Sequence, residues 1–290
     1  MSNTPLTDDE EFETPKGRVL IIAGSDSSGG AGIQADIKTV TALGGYAATA
    51  VTAITVQSTK GVSAIHGVPL EMIGGQIEAV LGDIGADAIK IGMLGNREIV
   101  ETVDQALKDH ASPAIPVILD PVMVATSGDR LLDDDAIETL KTKLIPRAHV
   151  LTPNAPEAAV LTGVEVDDYD GQTEAAEKLL AMGARAVLVK GGHLVGSQIL
   201  DVLTTRNGVR LFTRPRIATR NTHGTGCTLS SAIAALMAQG LSVDRAVEQA
   251  GDYLHEAIAR APGFGQGHGP VQHGWTVSSS FASAPVRSDD

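Results

Sequence analysis

The chain has 290 residues, 43% apolar and 3% aromatic, and a formal net charge of −13. That length fits one large α/β domain or two small ones, since a single core stops growing at roughly 250–300 residues. The acidity argues against a nucleic-acid partner, which needs clustered Lys and Arg, but a few local donors can hold one phosphate chain in an acidic protein.

Residues Met1–Lys16, with the run Asp8-Asp9-Glu10-Glu11, read as a disordered acidic tail. Arg18–Ala23 is a short apolar strand ending in Gly24, and Ile33–Leu43 a helix. Ala47–Val56 is rich in β-branched residues and reads as the second strand. Leu70–Leu81 is helical, Ala88–Ile91 a strand, Glu98–Lys108 helical, and Val117–Leu119 a strand ending at Asp120. Asp133–Leu144 is helical, Val150–Leu151 ends a strand, Glu174–Met182 is helical, and Ala186–Lys190 is a strand. Ile199–Thr204 and Gly208–Phe212 form an antiparallel hairpin around Arg206-Asn207-Gly208. Two long helices follow, about Gly226–Gln239 and Val243–Ala261, and Thr276–Asp290 is a loose Ser- and Ala-rich tail. No linker or fixed-period repeat interrupts 17–275, so one domain is expected there.

Strand and helix in alternation predict an α/β fold in three layers: a mostly parallel central sheet with helices on both faces. Ligands bind beyond the C-terminal ends of such strands. Gly24–Asp26, Gln57, Gly92-Met93, Asp120, Asn154 and Lys190 all stand there. Cys227 is the sole cysteine, so no intrachain disulfide can form. The N-terminus carries no signal-like apolar stretch, and no run approaches the roughly 20 apolar residues of a membrane span, so a cytoplasmic protein is expected.

Gly224-Thr225-Gly226-Cys227-Thr228 precedes a helix, where exposed backbone N–H groups and the helix dipole favour an anion. On a phosphoryl-transfer enzyme these donors would hold the charge on the moving group. Cys227 would be a general base, its pKa lowered by the helix start; the competing reading is a plain glycine turn with a small core residue. Gly24–Gly32 is a second glycine cluster. It lacks the Gly-Lys-Ser/Thr of a P-loop, and Gly30-x-Gly32-x-x-Ala35 lacks the acid a dinucleotide fold needs after the second strand, which ends Val56-Gln57-Ser58. A loop letting a flat substrate approach the backbone fits better, with Asp36 reaching a substrate hydroxyl or, alternatively, a solvated helix carboxylate. Asp120 can bind Mg²⁺ directly or through water. Asn154 and Glu157 have the spacing of a helix capping box, a structural role; functionally, Glu157 would orient metal-bound water. Lys190 would supply charge to a nucleotide phosphate beside Gly191-Gly192, and the histidines show no zinc spacing.

In order along the chain, AGSDSSGGAGIQADIKT (from Ala23), TAITVQST (Thr52), IKIGML (Ile89), LDPVM (Leu119), TPNAPEA (Thr152), VKGGH (Val189), THGTGCTLSSAIAA (Thr222) and GHGPVQH (Gly267) together resemble the hydroxymethylpyrimidine/phosphomethylpyrimidine kinases of the ribokinase-like superfamily. The match runs from about Val19 to His273. The resemblance implies two successive ATP-dependent phosphorylations, of 4-amino-5-hydroxymethyl-2-methylpyrimidine and then of its monophosphate, with Mg²⁺ and in a homodimer. It implies Cys227 as base, with Gly224 and Gly226 in the catalytic anion hole. Gln57 would read the aminopyrimidine edge, with Gly24, Asp36, Met93 and Val122 also on the substrate. Asn154, Lys190 and Thr225 would lie on the nucleotide side, and Asp120 and Glu157 on the metal side. A pyridoxal or pyridoxine kinase of the same superfamily is the nearest alternative. A catalytically dead binding protein and a nicotinamide oxidoreductase are more remote.

Overall fold

The computed structural model describes residues 14–125, 127–129 and 131–277. The expectations for the tails therefore lie outside the described residues, apart from Thr14–Lys16 and Thr276–Val277. Lys16 N–H donates to the Gly44 carbonyl, and the Thr276 hydroxyl to that of Ala42.

Among the described residues nine strands form one sheet in the order β3-β2-β1-β4-β5-β6-β7-β8-β9. Strands β1 (Arg18–Asp26), β2 (Tyr46–Ser58), β4 (Ala88–Ile91), β5 (Val117–Leu119), β6 (Val150–Leu151) and β7 (Ala186–Val189) run parallel. Antiparallel strands flank them: β3 (Gly61–Gly67) at one edge, β8 (Gln198–Thr205) and β9 (Gly208–Pro215) at the other. Helices α1 (Gly32–Ala42), α7 (Thr225–Ala238) and α8 (Val243–Ala259) cover one face; α2 (Leu70–Gly82), α3 (Arg97–His110), α4 (Asp134–Lys143), α5 (Ala155–Thr162) and α6 (Tyr169–Ala181) cover the other. This is the predicted three-layer architecture.

Strand β1 shows why the inner strands read as unbroken apolar runs. Val19, Ile21 and Ala23 face the α1/α7/α8 core, whereas Leu20 and Ile22 face the opposite one. Both pleat faces are buried, so alternation vanishes.

Three elements depart from expectation. Strand β1 continues through Ser25 to Asp26, with a register shift between Ala23 and Ser25. Strand β3 was not expected. Its Val-Ser-Ala-Ile-His stretch is short, largely exposed, and made a strand by pairing with β2 rather than by burial. Helix α6 starts at Tyr169, five residues before the predicted Glu174, because the Asp168 carboxylate caps it by accepting from Gly171 N–H at 2.8 Å.

Candidate active site

A cavity of about 840 Å³ opens at the C-terminal ends of the parallel strands. Gly24, Gln57, Met93, Val122, Asn154, Lys190, Thr225, Asp120, Glu157, Gly224, Gly226 and Cys227 all line it. These residues, scattered over more than 200 positions of sequence, meet because each lies at or just past the C-terminal end of a strand, or opens α5 or α7.

The start of α7 is built by backbone sterics. Gly224 caps the helix at φ +81°, and a side-chain carbon there would come within 1.9 Å of the Gly30 carbonyl oxygen. Only glycine lets the two loops pack so closely. A carbon on Gly226 would lie 3.4 Å from both Asp120 Oδ2 and Lys190 Nζ. That short separation sets the helix N–H donors, the acid and the lysine around one small volume.

Asp120 is 1% exposed; its Oδ1 lies 2.9 Å from Lys190 Nζ and accepts from the Thr152 hydroxyl at 3.1 Å. Glu157 Oε2 stands 4.0 Å from the same ammonium. The Asn154–Glu157 capping box is present, with both hydrogen bonds at 2.8 Å, so Glu157 holds its helix start while facing the cavity. Desolvation, with the Asp120 charge nearby, pushes its carboxyl up to about 7 against the pull of Lys190. Two carboxylates thus share one lysine. Among the described residues no group of three or more His, Cys, Asp or Glu could hold a metal. The donor set instead fits Mg²⁺, which keeps several waters and takes phosphate oxygens plus one or two carboxylates.

Two sequence expectations are corrected. Asp36 does not reach the cavity: it lies on the buried face of α1, with both oxygens on Lys90 Nζ at 2.9 and 2.8 Å and its Oδ1 accepting from the Ser231 hydroxyl at 2.7 Å. Together with Ala35, Thr39 and Val40 it occupies the helix stripe turned toward the sheet. Second, the Cys227 thiol is not lowered. Burial, joined by Asp36 and Asp120, pushes it up to about 12, outweighing Lys90 and the Gly32 N–H.

Sequence reasoning also missed the Asp26–His223 pair. Asp26 accepts from Ser28 N–H at 2.8 Å and Ala31 N–H at 2.7 Å, and its Oδ2 lies 2.8 Å from His223 Nε2. His223 and these donors hold its carboxyl down at about 2 despite burial. The pair joins the glycine loop after β1 to the loop before α7. Its one sequence signal was an acid amid glycines and serines, where turn N–H groups need an acceptor. Lys90 had a stronger signal, a lysine inside the otherwise apolar Ala88–Ile91, which cannot be buried without an acid.

A doubly flanked, mostly parallel sheet, a glycine-capped helix start and a lysine–carboxylate cluster facing one cavity are the frame of a ribokinase-like small-molecule kinase. A sequence model described as phosphomethylpyrimidine kinase matches residues 26–272. The chain belongs to that family. It is 47% identical over 259 residues to the hydroxymethylpyrimidine/phosphomethylpyrimidine kinase of Streptomyces coelicolor, covering 89% of this chain and 95% of the relative. It is 48% identical to the thiamine biosynthesis bifunctional protein ThiED of Geobacter sulfurreducens, again over 89% of this chain, but spans only 52% of that longer relative. Among solved structures, phosphomethylpyrimidine kinase from Clostridium difficile superposes with a TM-score of 0.75 at 42% identity, covering 84% of this chain and all of that one. Pyridoxal kinase from Staphylococcus aureus, solved with AMP-PCP and pyridoxal, gives a TM-score of 0.81 at 34% identity, covering 89% and 93%.

Proposed function

We propose that this chain transfers the γ-phosphoryl group of ATP to the hydroxymethyl oxygen of 4-amino-5-hydroxymethyl-2-methylpyrimidine, and then phosphorylates the monophosphate to the diphosphate, a step of thiamine biosynthesis. One observation carries the reading: a single cavity is lined together by Gln57, Met93 and Gly24, suited to a flat ring, by Lys190 and Gly224–Gly226, suited to phosphate, and by Cys227. The higher identity to pyrimidine kinases than to pyridoxal kinase favours the pyrimidine.

In this reading Gln57 addresses the aminopyrimidine edge, since an amide both donates and accepts. Met93 and Val122 pack on the ring, and Gly24 admits it to the backbone. Asn154, Lys190 and Thr225 hold the nucleotide phosphates. Mg²⁺, beside Asp120 and Glu157, would neutralise phosphate charge. The N–H groups at Gly224–Cys227 receive the charge of the moving phosphoryl group. As the O–Pγ bond forms and the bond from Pγ to the ADP oxygen breaks, the hydroxyl proton passes to the Cys227 thiolate. The exposed Ile54, Val56 and Ile65 of the β2–β3 hairpin support a homodimer, and a cytoplasmic location completes the reading; no helix of the described residues is long and apolar enough to cross a membrane.

ATP consumption with Mg²⁺ and, in turn, hydroxymethylpyrimidine, its monophosphate and pyridoxine tests the assignment. Turnover of the first two is expected; preference for pyridoxine would transfer the same chemistry to the alternative substrate. The base role has its own signature. With the thiol up at about 12, the thiolate grows about tenfold per pH unit through neutrality, so log kcat should climb with pH. Cys227→Ala should be flatter and slower by about 10²–10⁴. A native profile flat from pH 6 to 9 would remove Cys227 as the base.

A further inference from the structure

Lys90 is fully buried, and an ammonium so far from water is costly unless paired. Its partner Asp36 is also at 0% side-chain exposure. Such a pair contributes little net stability compared with two well-packed apolar side chains, so its position asks for another account. Ser231, which bonds Asp36, lies four residues after Cys227 and therefore on the same side of α7. The pair thus sits directly beneath the helix start that lines the cavity. Lys90 Nζ is also only 2.8 Å from where a side-chain carbon on Gly92 would stand, so the ammonium reaches beyond its strand toward the cavity end of the sheet.

We propose that Lys90 is a positioning residue for negative charge: its ammonium, clamped by Asp36 and Ser231 under α7, offsets the Asp36 and Asp120 carboxylates at Cys227 and at the adjacent helix start. This rests on the reading of that helix start as the place where the phosphoryl group transfers. The charged groups that bear on the sulfur come from four elements: Lys90 from β4, Asp36 from α1, Asp120 after β5 and Lys190 after β7. Lys90 Nζ bonds Asp36, and Asp36 bonds Ser231 one turn after Cys227, which places the buried pair against the sulfur's own turn of α7. Lys190 lines the cavity beside Asp120, whereas Lys90 does not line it and would act only through its field, which low-dielectric surroundings strengthen.

Cys227 is the sole cysteine, so its alkylation by iodoacetamide reports the local potential with no kinase substrate present. The rate would be followed from pH 7 to 10 in the full chain. Lys90→Met should slow alkylation at least about tenfold at a given pH, one pKa unit of thiolate population. Asp36→Asn, which leaves the lysine charged and loosens its clamp, should speed it by a similar factor. Opposite signs are the signature, since a merely structural pair would shift both variants the same way. Shifts of the same sign, or none, overturn the proposal. Should Lys90→Met fail to fold, Asp36→Asn alone decides: a faster rate supports it and an unchanged or slower rate overturns it. In the kinase assay, Lys90→Met should lower kcat about tenfold or more with both KM values within roughly threefold. Chains inactive with every acceptor but showing opposite alkylation shifts would sink the proposed function and leave the electrostatic role standing.

Discussion

Two lysine–aspartate pairs flank the start of α7, alike in chemistry and opposite in access. Lys90–Asp36 is sealed, both side chains at 0% exposure, with Ser231 supplying a further hydrogen bond. Lys190–Asp120 is open to the cavity, at 13% and 2%, and carries Glu157 as a second acid. The difference follows from one step of chain. Lys90 lies within its strand, so packing covers it; Lys190 stands one residue past the end of β7, where the sheet gives way to the ligand volume. A sealed pair is charge-balanced and acts at a distance. An open pair with a surplus acid faces the cavity with a second carboxylate, which in the proposed function a cation and phosphate would complete.

Breaking the open pair should cost most. Lys190→Met leaves Asp120 and Glu157 buried without their cation. kcat should fall about 10²–10³-fold, as when an oxyanion donor is lost, with a raised KM for ATP in steady-state assays. Removing one partner of a buried pair should also lower stability by about 3–5 kcal/mol in urea titration. The sealed pair can be removed whole: Asp36→Leu with Lys90→Met should be neutral or stabilising by about 1–4 kcal/mol, and still slow in turnover. A double variant that loses stability as severely as Lys190→Met would erase the contrast between the pairs.

The same contrast explains what the sequence made legible. Residues just past strand ends, such as Asp120, Asn154 and Lys190, were readable because the parallel-sheet rule fixes where strands end and ligands bind. Alternation of apolar runs and helical patterns was enough for the layers and the strand directions. The edge strand β3 was not readable, since its structure comes from pairing with β2 rather than from its own pattern. Asp36 was assigned to the substrate because position along α1 says nothing about rotation of the helix against the sheet. Lys90 passed unnoticed for a matching reason: its acid is 54 residues away, and only the fold joins them. The Cys227 pKa erred through weighing one local effect, the helix start, without the burial and two carboxylates that tertiary structure adds.

A third buried contact of a carboxylate, Asp26 with His223 at 2.8 Å, is sharpened by acid. The Asp26 carboxyl is held at about 2, below its ordinary 3.8. A depressed acid contributes stability that is fully present above the unfolded pKa and lost as pH falls toward the folded one. Asp26→Asn should therefore be about 2 kcal/mol less stable than the native chain at pH 7. The gap should narrow from pH 4 to pH 2 in urea titrations. A gap that stays constant down to pH 2 would mean that the pair's charge contributes nothing and that only its shape matters.

The smallest effect belongs to the substrate end, which rests on neutral hydrogen bonds rather than charge. Gln57 Oε1 accepts from the Thr55 hydroxyl at 3.1 Å, which orients the amide. None of the hydrogen bonds among the described residues engages its amide nitrogen. A pyrimidine edge that takes this donor gains about 0.5–1.5 kcal/mol net. In the proposed function, Gln57→Leu should then raise the KM for hydroxymethylpyrimidine by roughly three- to tenfold and leave that for ATP unchanged, because Gln57 is assigned to the pyrimidine alone. Isothermal titration with each ligand separates the two. Equal weakening of both would show that Gln57 supports the β2 end and its bond to Ser27 rather than reading the ring.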